Sequence, residues 1–318
     1  MPFESTVAAA WDLLVRAAPM GTLLHTRAFL SYHGERFEDA SVMLHNEGGE
    51  LVGVLPAAAD PTGGERVVSH PGATFGGIVH DGKIRGAAML EGLAAAAKHY
   101  RQVGFGRLIY APVPHIYHRR PSSDDLYALA RFGALRTCCN LSCAINLETG
   151  PCLSSRRRRG LRKAHKEGVT VAQSPELLDD LWSIVEVNLA ERHDTRPVHT
   201  KAEVGKLMAL FPEEIVVTVA HHEGEPVGGV LVFESPKVSH AQYIASTTAG
   251  NRVGALDAVF DCCLSRATAR GARFFDFGTS NRDGGWVLNE GLYEFKAQFG
   301  GGGVAYEVYE MDLRAISR

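Results

Sequence analysis

The residues best suited to chemistry lie in the second half of the chain. An apolar run there is broken by polar side chains: Val238-Ser239-His240-Ala241-Gln242-Tyr243-Ile244-Ala245-Ser246. As a strand with a period of two, it sets His240, Gln242 and Ile244 on one face and Ala241, Tyr243 and Ala245 on the other. An imidazole and an amide inside such a strand suit a cleft in which a proton changes hands near neutral pH. A solvent-facing strand side would carry the same residues. The segment Glu191 to His199 gathers two histidines, two arginines and two acids. Arg192, His193 and His199 could hold an anionic acceptor or supply a base, or they could only complement a helix C-terminus. The loop Gly278 to Trp286 leaves the end of a strand and carries two adjacent glycines and several donors. Ser280 and Asn281 are its best substrate contacts, with Tyr243 as a further one. The loop Pro114 to Pro121 offers His115 in a similar place in the first half. Lys296 shares a helix with Tyr293 and Phe299, which fall on one face at i+3 spacing.

Several chemistries lack their residues. There is no Gly-x-Ser-x-Gly elbow, phosphate-binding Walker loop or dinucleotide fingerprint. The six cysteines, two adjacent pairs among them, have no partners at zinc-site spacing, so no metal is expected. They read as small apolar residues of a reducing cytoplasm. No run approaches the roughly 18 apolar residues of a membrane span, and the N-terminus has no basic flank of a secretory signal. Net charge is -3, but Arg156 to Lys166 holds seven Lys/Arg and no acid. Without that stretch, 26 bases face 36 acids, which argues against a general nucleic-acid binder. One basic helix facing an anionic partner remains open. With only Leu161 and Ala164 apolar, its basic side chains are expected to face solvent, so that Arg157 and Arg158 could be replaced without loss of stability.

The elements that must position these residues are written twice. Each half has an apolar hairpin turning at acid-Gly, Ser41 to Leu55 and Ile215 to Leu231. Each continues with a long helix and a Gly-led strand, Lys83 to Ala111 and Ala255 to Gly278. Each then has a Leu-Tyr helix ending in Phe-Gly, at Leu126 and Leu292, and a closing strand, Leu135 to Leu147 and Val304 to Leu313. Three matches in order indicate a duplication. The 318 residues thus divide into domains 1–150 and 151–318, with the seam at Glu148 to Ser155, where Thr149-Gly150-Pro151 breaks helix and strand. Each domain is expected to be α/β, a mixed sheet with helices packed on it.

This order, with the basic helix Ser154 to Val169, the passage Ala267 to Asn281 and the motif Phe295-Lys296-Ala297-Gln298-Phe299-Gly300, resembles the GNAT superfamily. The doubled form resembles the tandem-domain FemABX-like acyl and aminoacyl transferases. The resemblance implies two tandem GNAT-like domains, the second catalytic and the first a scaffold. It implies transfer of an acyl group from a thioester or aminoacyl ester to an amine-type nitrogen; the leading reading takes acyl-CoA (acetyl-CoA) as donor and a small polar or biosynthetic acceptor. A donor of aminoacyl-tRNA, held by Arg156, Arg157, Arg158 and Arg159, is the alternative, and a non-catalytic small-molecule binder is another. It places the acyl carbonyl at the fourth strand, His240 to Ser246, where the GNAT sheet splays. It gives His240, Gln242 and Lys296 catalytic roles, with the lysine offsetting charge on the carbonyl or donor phosphate. Replacing Lys296 is expected to slow turnover and leave stability unchanged. The pyrophosphate loop of the family corresponds to Thr247 to Ala255, where Thr247, Arg252, Val253, Gly254 and Ala255 offer amides and a cation at a helix start, in an altered register.

Overall fold

A computed structural model describes residues 5–193 and 199–316, without the side chains of residues 5 and 189–193. The chain forms two compact units. One comprises Met1–Asn140, Asn281–Val287 and Ala305–Arg318; the other comprises Leu141–Ser280 and Leu288–Val304.

The first unit begins with helices α1 (Ala8–Ala17) and α2 (Arg27–Leu30), followed by the hairpin β1 (Val42–His45) and β2 (Leu51–Leu55). Short strands β3 (Ala58–Ala59), β4 (Arg66–Val68) and β5 (Val79–His80) come next, then α3 (Ala87–Gln102), β6 (Arg107–Tyr110), α4 (Asp124–Arg131) and the start of β7 (Leu135–Asn146). The hairpin forms its own sheet in the order β1-β2-β5. Strands β3, β4 and β6 pair in sequence, and β6 pairs with the end of β15 (Gly302–Asp312). The side chains of Met89, Leu93, Ala96, Ala97 and Tyr100, spaced to form one stripe of α3, fill the core of this unit.

The second unit holds α5 (Ser155–Lys166), β8 (Thr170–Gln173), α6 (Leu178–His193), α7 (Lys201–Leu210), β9 (Ile215–His222), β10 (Glu225–Glu234) and β11 (Val238–Ser246). It continues through α8 (Thr248–Val253), α9 (Ala255–Ala269) and β12 (Phe274–Thr279). Beyond the short strands β13 (Asn281–Arg282) and β14 (Val287–Leu288) come α10 (Glu290–Ala297) and the first residues of β15. Its sheet runs β7-β12-β11-β10-β9-β8, antiparallel except for the β11–β12 pair. Glu223 and Gly224 both have positive φ, 54° and 86°, which makes the two-residue turn between β9 and β10 follow the twist of its strands. On one face, Val259, Phe260, Cys263, Leu264 and Ala267 of α9 pack against Val230, Val232, Ala241, Phe275 and Phe277. On the other, Leu181 and Trp182 of α6 meet Gly229 and Tyr243.

Both expected hairpins, both helix-strand passages and both closing strands are present. The two copies differ in how the hairpin is used. In the second it belongs to the main sheet; in the first it stands apart with β5, because β3 and β4 take the place beside β6. The residues 148–155 link β7 to α5 inside the second unit, since residues 142–146 of β7 pair with β12.

The expectation for the basic helix needs correction at one residue. Arg156, Arg158, Arg159, Arg162, Lys163 and Lys166 are exposed, but Arg157 is 8% exposed. Its guanidinium lies 3.1 Å from Asp257 and stacks over the rings of Phe295 and Phe299, at 4.8 and 5.2 Å. Asp257 also dictates Gly160, where a Cβ would come within 2.1 Å of its carboxylate oxygen. The inward stripe of α5 is therefore Arg157 and Ala164, both buried, with the partly buried Gly160 and Leu161, an arginine filling an apolar position because a carboxylate on α9 faces it.

Candidate active site

Strand β12 carries three phenylalanines and one acid, Phe274-Phe275-Asp276-Phe277. Alternation sends Phe275 and Phe277 into the core and Asp276 to the opposite face, where it is wholly buried. A buried carboxylate needs donors, and it has them. Ser142 of β7 donates its hydroxyl to Asp276 Oδ1 at 2.5 Å, and Gly278 N donates to the same oxygen at 3.0 Å. His240 Nδ1 stands 2.8 Å from Oδ2. An ionised carboxylate only accepts, so Nδ1 carries a proton toward it, and in a neutral imidazole so held the lone pair lies on Nε2. His240 is 8% exposed, and its Nε2 makes no hydrogen bond among the described residues.

The sheet opens at this point. Pairing between β11 and β12 covers Val238 to His240 against Phe274 to Asp276 and then stops, so residues 241–246 of β11 have no partner in β12. On its other edge β11 is irregular too: Leu231 pairs with Tyr243 and Val232 with Ala241, leaving Gln242 as an extra residue. The bulge resets the alternation. Ile244 returns to the core beside Ala241, and Tyr243 comes to the α6 side. The expected shared face of His240, Gln242 and Ile244 is thus replaced by one with His240 and Tyr243. The Tyr243 hydroxyl meets His199 Nδ1 at 2.8 Å, and its ring meets Trp182 edge-on at 5.3 Å. Burial raises the Tyr243 phenol above its ordinary range.

Strand β12 bulges as well, between Asp276 and Thr279, and Gly278 takes the left-handed φ of 76° that this bend requires. The turned backbone offers its carbonyls to Lys296, whose Nζ donates to Gly278 O at 2.9 Å and Thr279 O at 2.7 Å. The Lys296 side chain is 3% exposed. Burial lowers its pKa to about 8, against the pull of Asp276 and Cys143. Burial likewise pushes the Cys143 thiol up to about 11. Among the described residues, no group of three or more His, Cys, Asp or Glu side chains could hold a metal ion.

Residues 154–296 match the family described as Acetyltransferase (GNAT) domain. This segment is a GNAT-type acetyltransferase domain, and the chain is an acyltransferase. No curated protein matches the chain by sequence. Among solved structures it is similar to FemX, with 14% identity, TM-score 0.69, and coverage of 97% of this chain and 96% of that one. It is similar to the C-terminal domain (DUF2156) of a putative lysylphosphatidylglycerol synthetase from Agrobacterium fabrum, with 13% identity, TM-score 0.64 and coverage of 96% and 92%. A tandem GNAT protein from the clavulanic acid biosynthesis pathway aligns at 15% identity and TM-score 0.50, covering 98% of both chains. At these identities the likeness is one of fold, a two-domain GNAT-like fold.

Within the GNAT domain the sequence-predicted residues fall in several places. Thr247 caps α8, its side chain accepting from Gly250 N, and Arg252 and Val253 lie on that six-residue helix. Gly254 takes a φ of 79° at the α8–α9 junction, where a Cβ would come within 2.6 Å of the Gly160 carbonyl oxygen, and Ala255 is buried in the core. His199 and Tyr243 are bonded to each other, while the side chains of Arg192 and His193 lie outside the described residues. Ser280 is buried, bonded through its backbone to Leu141 and Asn289. Asn281 and the exposed His115 belong to the other unit. Arg157 lines a cavity of about 460 Å³ between α5 and α9, with Leu153, Leu161, Leu264 and Phe299, that shares no residue with the His240 site. Burial raises the Asp257 carboxyl there to about 6, although Arg157 pulls the other way.

Sequence reasoning passed over Asp276 and Ser142. Asp276 had a signal, an acid flanked by phenylalanines in an apolar strand, since such a residue is rarely buried without partners. Ser142 had none, because nothing in Leu141-Ser142-Cys143-Ala144 distinguishes it from any small strand residue.

Proposed function

We propose that the chain moves an acyl group from acyl-CoA, acetyl-CoA being the simplest donor, to an amine-type nitrogen of a small polar or biosynthetic acceptor. The observation that carries this reading is His240, its Nδ1 tied to the buried Asp276 carboxylate where β11 and β12 part. The amine nitrogen attacks the thioester carbonyl, and His240 Nε2 takes its proton as the C–N bond forms. Asp276 keeps the imidazole in the tautomer with Nε2 bare and offsets the imidazolium charge. Backbone N–H groups of β11 beyond its pairing with β12 bear on the carbonyl oxygen as negative charge gathers there. Collapse breaks the C–S bond, and the thiolate leaves with the proton that His240 returns. Gln242, Tyr243 and His199 line the acceptor side, and Thr247 to Ala255 lie toward the donor phosphates. Lys296 serves this site by holding the Gly278–Thr279 backbone.

A second reading, aminoacyl-tRNA as donor, draws on the exposed cations of α5 and on the likeness to a lysylphosphatidylglycerol synthetase domain, a name that speaks of aminoacyl transfer. A cytoplasmic location goes with either reading; among the described residues no helix is long and apolar enough to cross a membrane. Calorimetric titration of the protein with acetyl-CoA and, separately, with uncharged tRNA separates the two. The first reading expects acetyl-CoA to bind, with an affinity indifferent to replacement of Arg156, Arg158 and Arg159 by Ala. Binding of tRNA alone, falling steeply with salt and lost in that variant, would establish the second.

A further inference from the structure

We propose that Ser142, contributed by a strand outside the matched GNAT segment, is a positioning residue for the base His240, acting through Asp276. This rests on the reading of His240 as the base.

A carboxylate rotates easily about its terminal bond, since that torsion is broad and two-fold. Nothing within Asp276 itself aims Oδ2 at the imidazole. The aim comes from Oδ1, which the Ser142 hydroxyl and Gly278 N hold from two directions. Ser142 and Asp276 are each 0% exposed, so that oxygen is shielded from bulk solvent. The register explains why the serine is there. Asp276 pairs with Ala144 and Thr279 with Ser142 across the β12 bulge, which brings the Ser142 side chain to the carboxylate one pair away. Residues 154–296 contain His240, Asp276 and Gly278 but not Ser142, so the matched segment lacks one of the groups that fixes its own base.

Loss of the hydroxyl removes one of the donors that hold Oδ1, so the carboxylate turns more readily and is easier to protonate. A turned or protonated Asp276 no longer demands the proton on Nδ1. The imidazole then shifts toward the tautomer with Nε2 protonated, which cannot accept a proton from an acceptor.

Selective ¹⁵N-histidine labelling of the full chain reads this without any acyl donor or acceptor. The His240 signals are those lost in His240→Gln. In the wild type they should show a protonated Nδ1 and a bare Nε2. In Ser142→Ala the Nε2-protonated form should rise about ten-fold relative to the other, the scale of one lost hydrogen bond to a charged group. Ser142→Thr, which keeps the hydroxyl, should restore the wild-type pattern. Ser142→Cys, close in volume but a weak donor, carries the same test if the alanine variant does not fold. An unchanged tautomer in Ser142→Ala or Ser142→Cys would overturn the role of Ser142 and leave His240 as the base. A wild type with Nε2 already protonated would overturn both.

Discussion

At Lys296 a buried ammonium has two backbone carbonyls to satisfy it, and they belong to the strand that carries Asp276. That makes it a fastening for the β12 bulge, where the motif alone suggested a cation facing the substrate. Lys296→Ala should therefore cost stability as well as activity. It leaves Gly278 O and Thr279 O without their donor and opens a cavity, together about 2–4 kcal/mol in a urea melt. An unchanged midpoint would restore the expectation drawn from sequence. The lysine also fixes a pH dependence. Its folded pKa, about 8, lies below the roughly 10.4 of an unfolded chain, so the stability tied to its neutral form is present above pH 10 and lost as pH falls through 8. Wild-type stability relative to Lys296→Met should rise between pH 8 and 10, and a flat difference would show that the ammonium is not strained by burial. Asp276→Asn should lower turnover by about 100-fold or more, because an amide can favour the wrong imidazole tautomer.

Among the elements, α5 gives the sharpest contrast between neighbouring positions. Arg157→Ala removes the partner of a buried carboxylate and a guanidinium that covers two rings. About 3 kcal/mol or more should be lost, whereas Arg158→Ala, on the exposed side, should change little. Equal midpoints for the two variants in thermal denaturation would contradict the burial of Arg157. This pair also shows what was legible. Helical period, length and start of α5 were all in the sequence, and so was an arginine at every position that mattered. Which arginine faced inward was not, because the answer lies in Asp257, some hundred residues on. Strand β11 gives the same lesson at shorter range. His240 could be singled out from its apolar surroundings, but a bulge at Gln242 depends on the register with β10, so its effect on Tyr243 and Ile244 could not be read from alternation.

Over the whole molecule, the repeated order of hairpin, helix, strand, helix and strand was open to reading because each element is local. The partners of those elements are not local. Residues of β7 pair with β12 more than a hundred positions away, and this brings Ser142 to Asp276. For that reason the fold class could be read from the sequence and His240 could be put forward from it, while the acid and the serine behind His240 could not. The proposed role of His240 is that of base for attack on the acyl carbonyl. It is tested most directly by thiol release from acetyl-CoA with a panel of small amines, in the wild type and in His240→Gln, with acetyl-CoA binding measured on both. Turnover lowered by about 10²-fold or more, with an unchanged donor affinity, is the expected outcome. Turnover within two-fold of the wild type, in a variant that still folds and binds the donor, would contradict it.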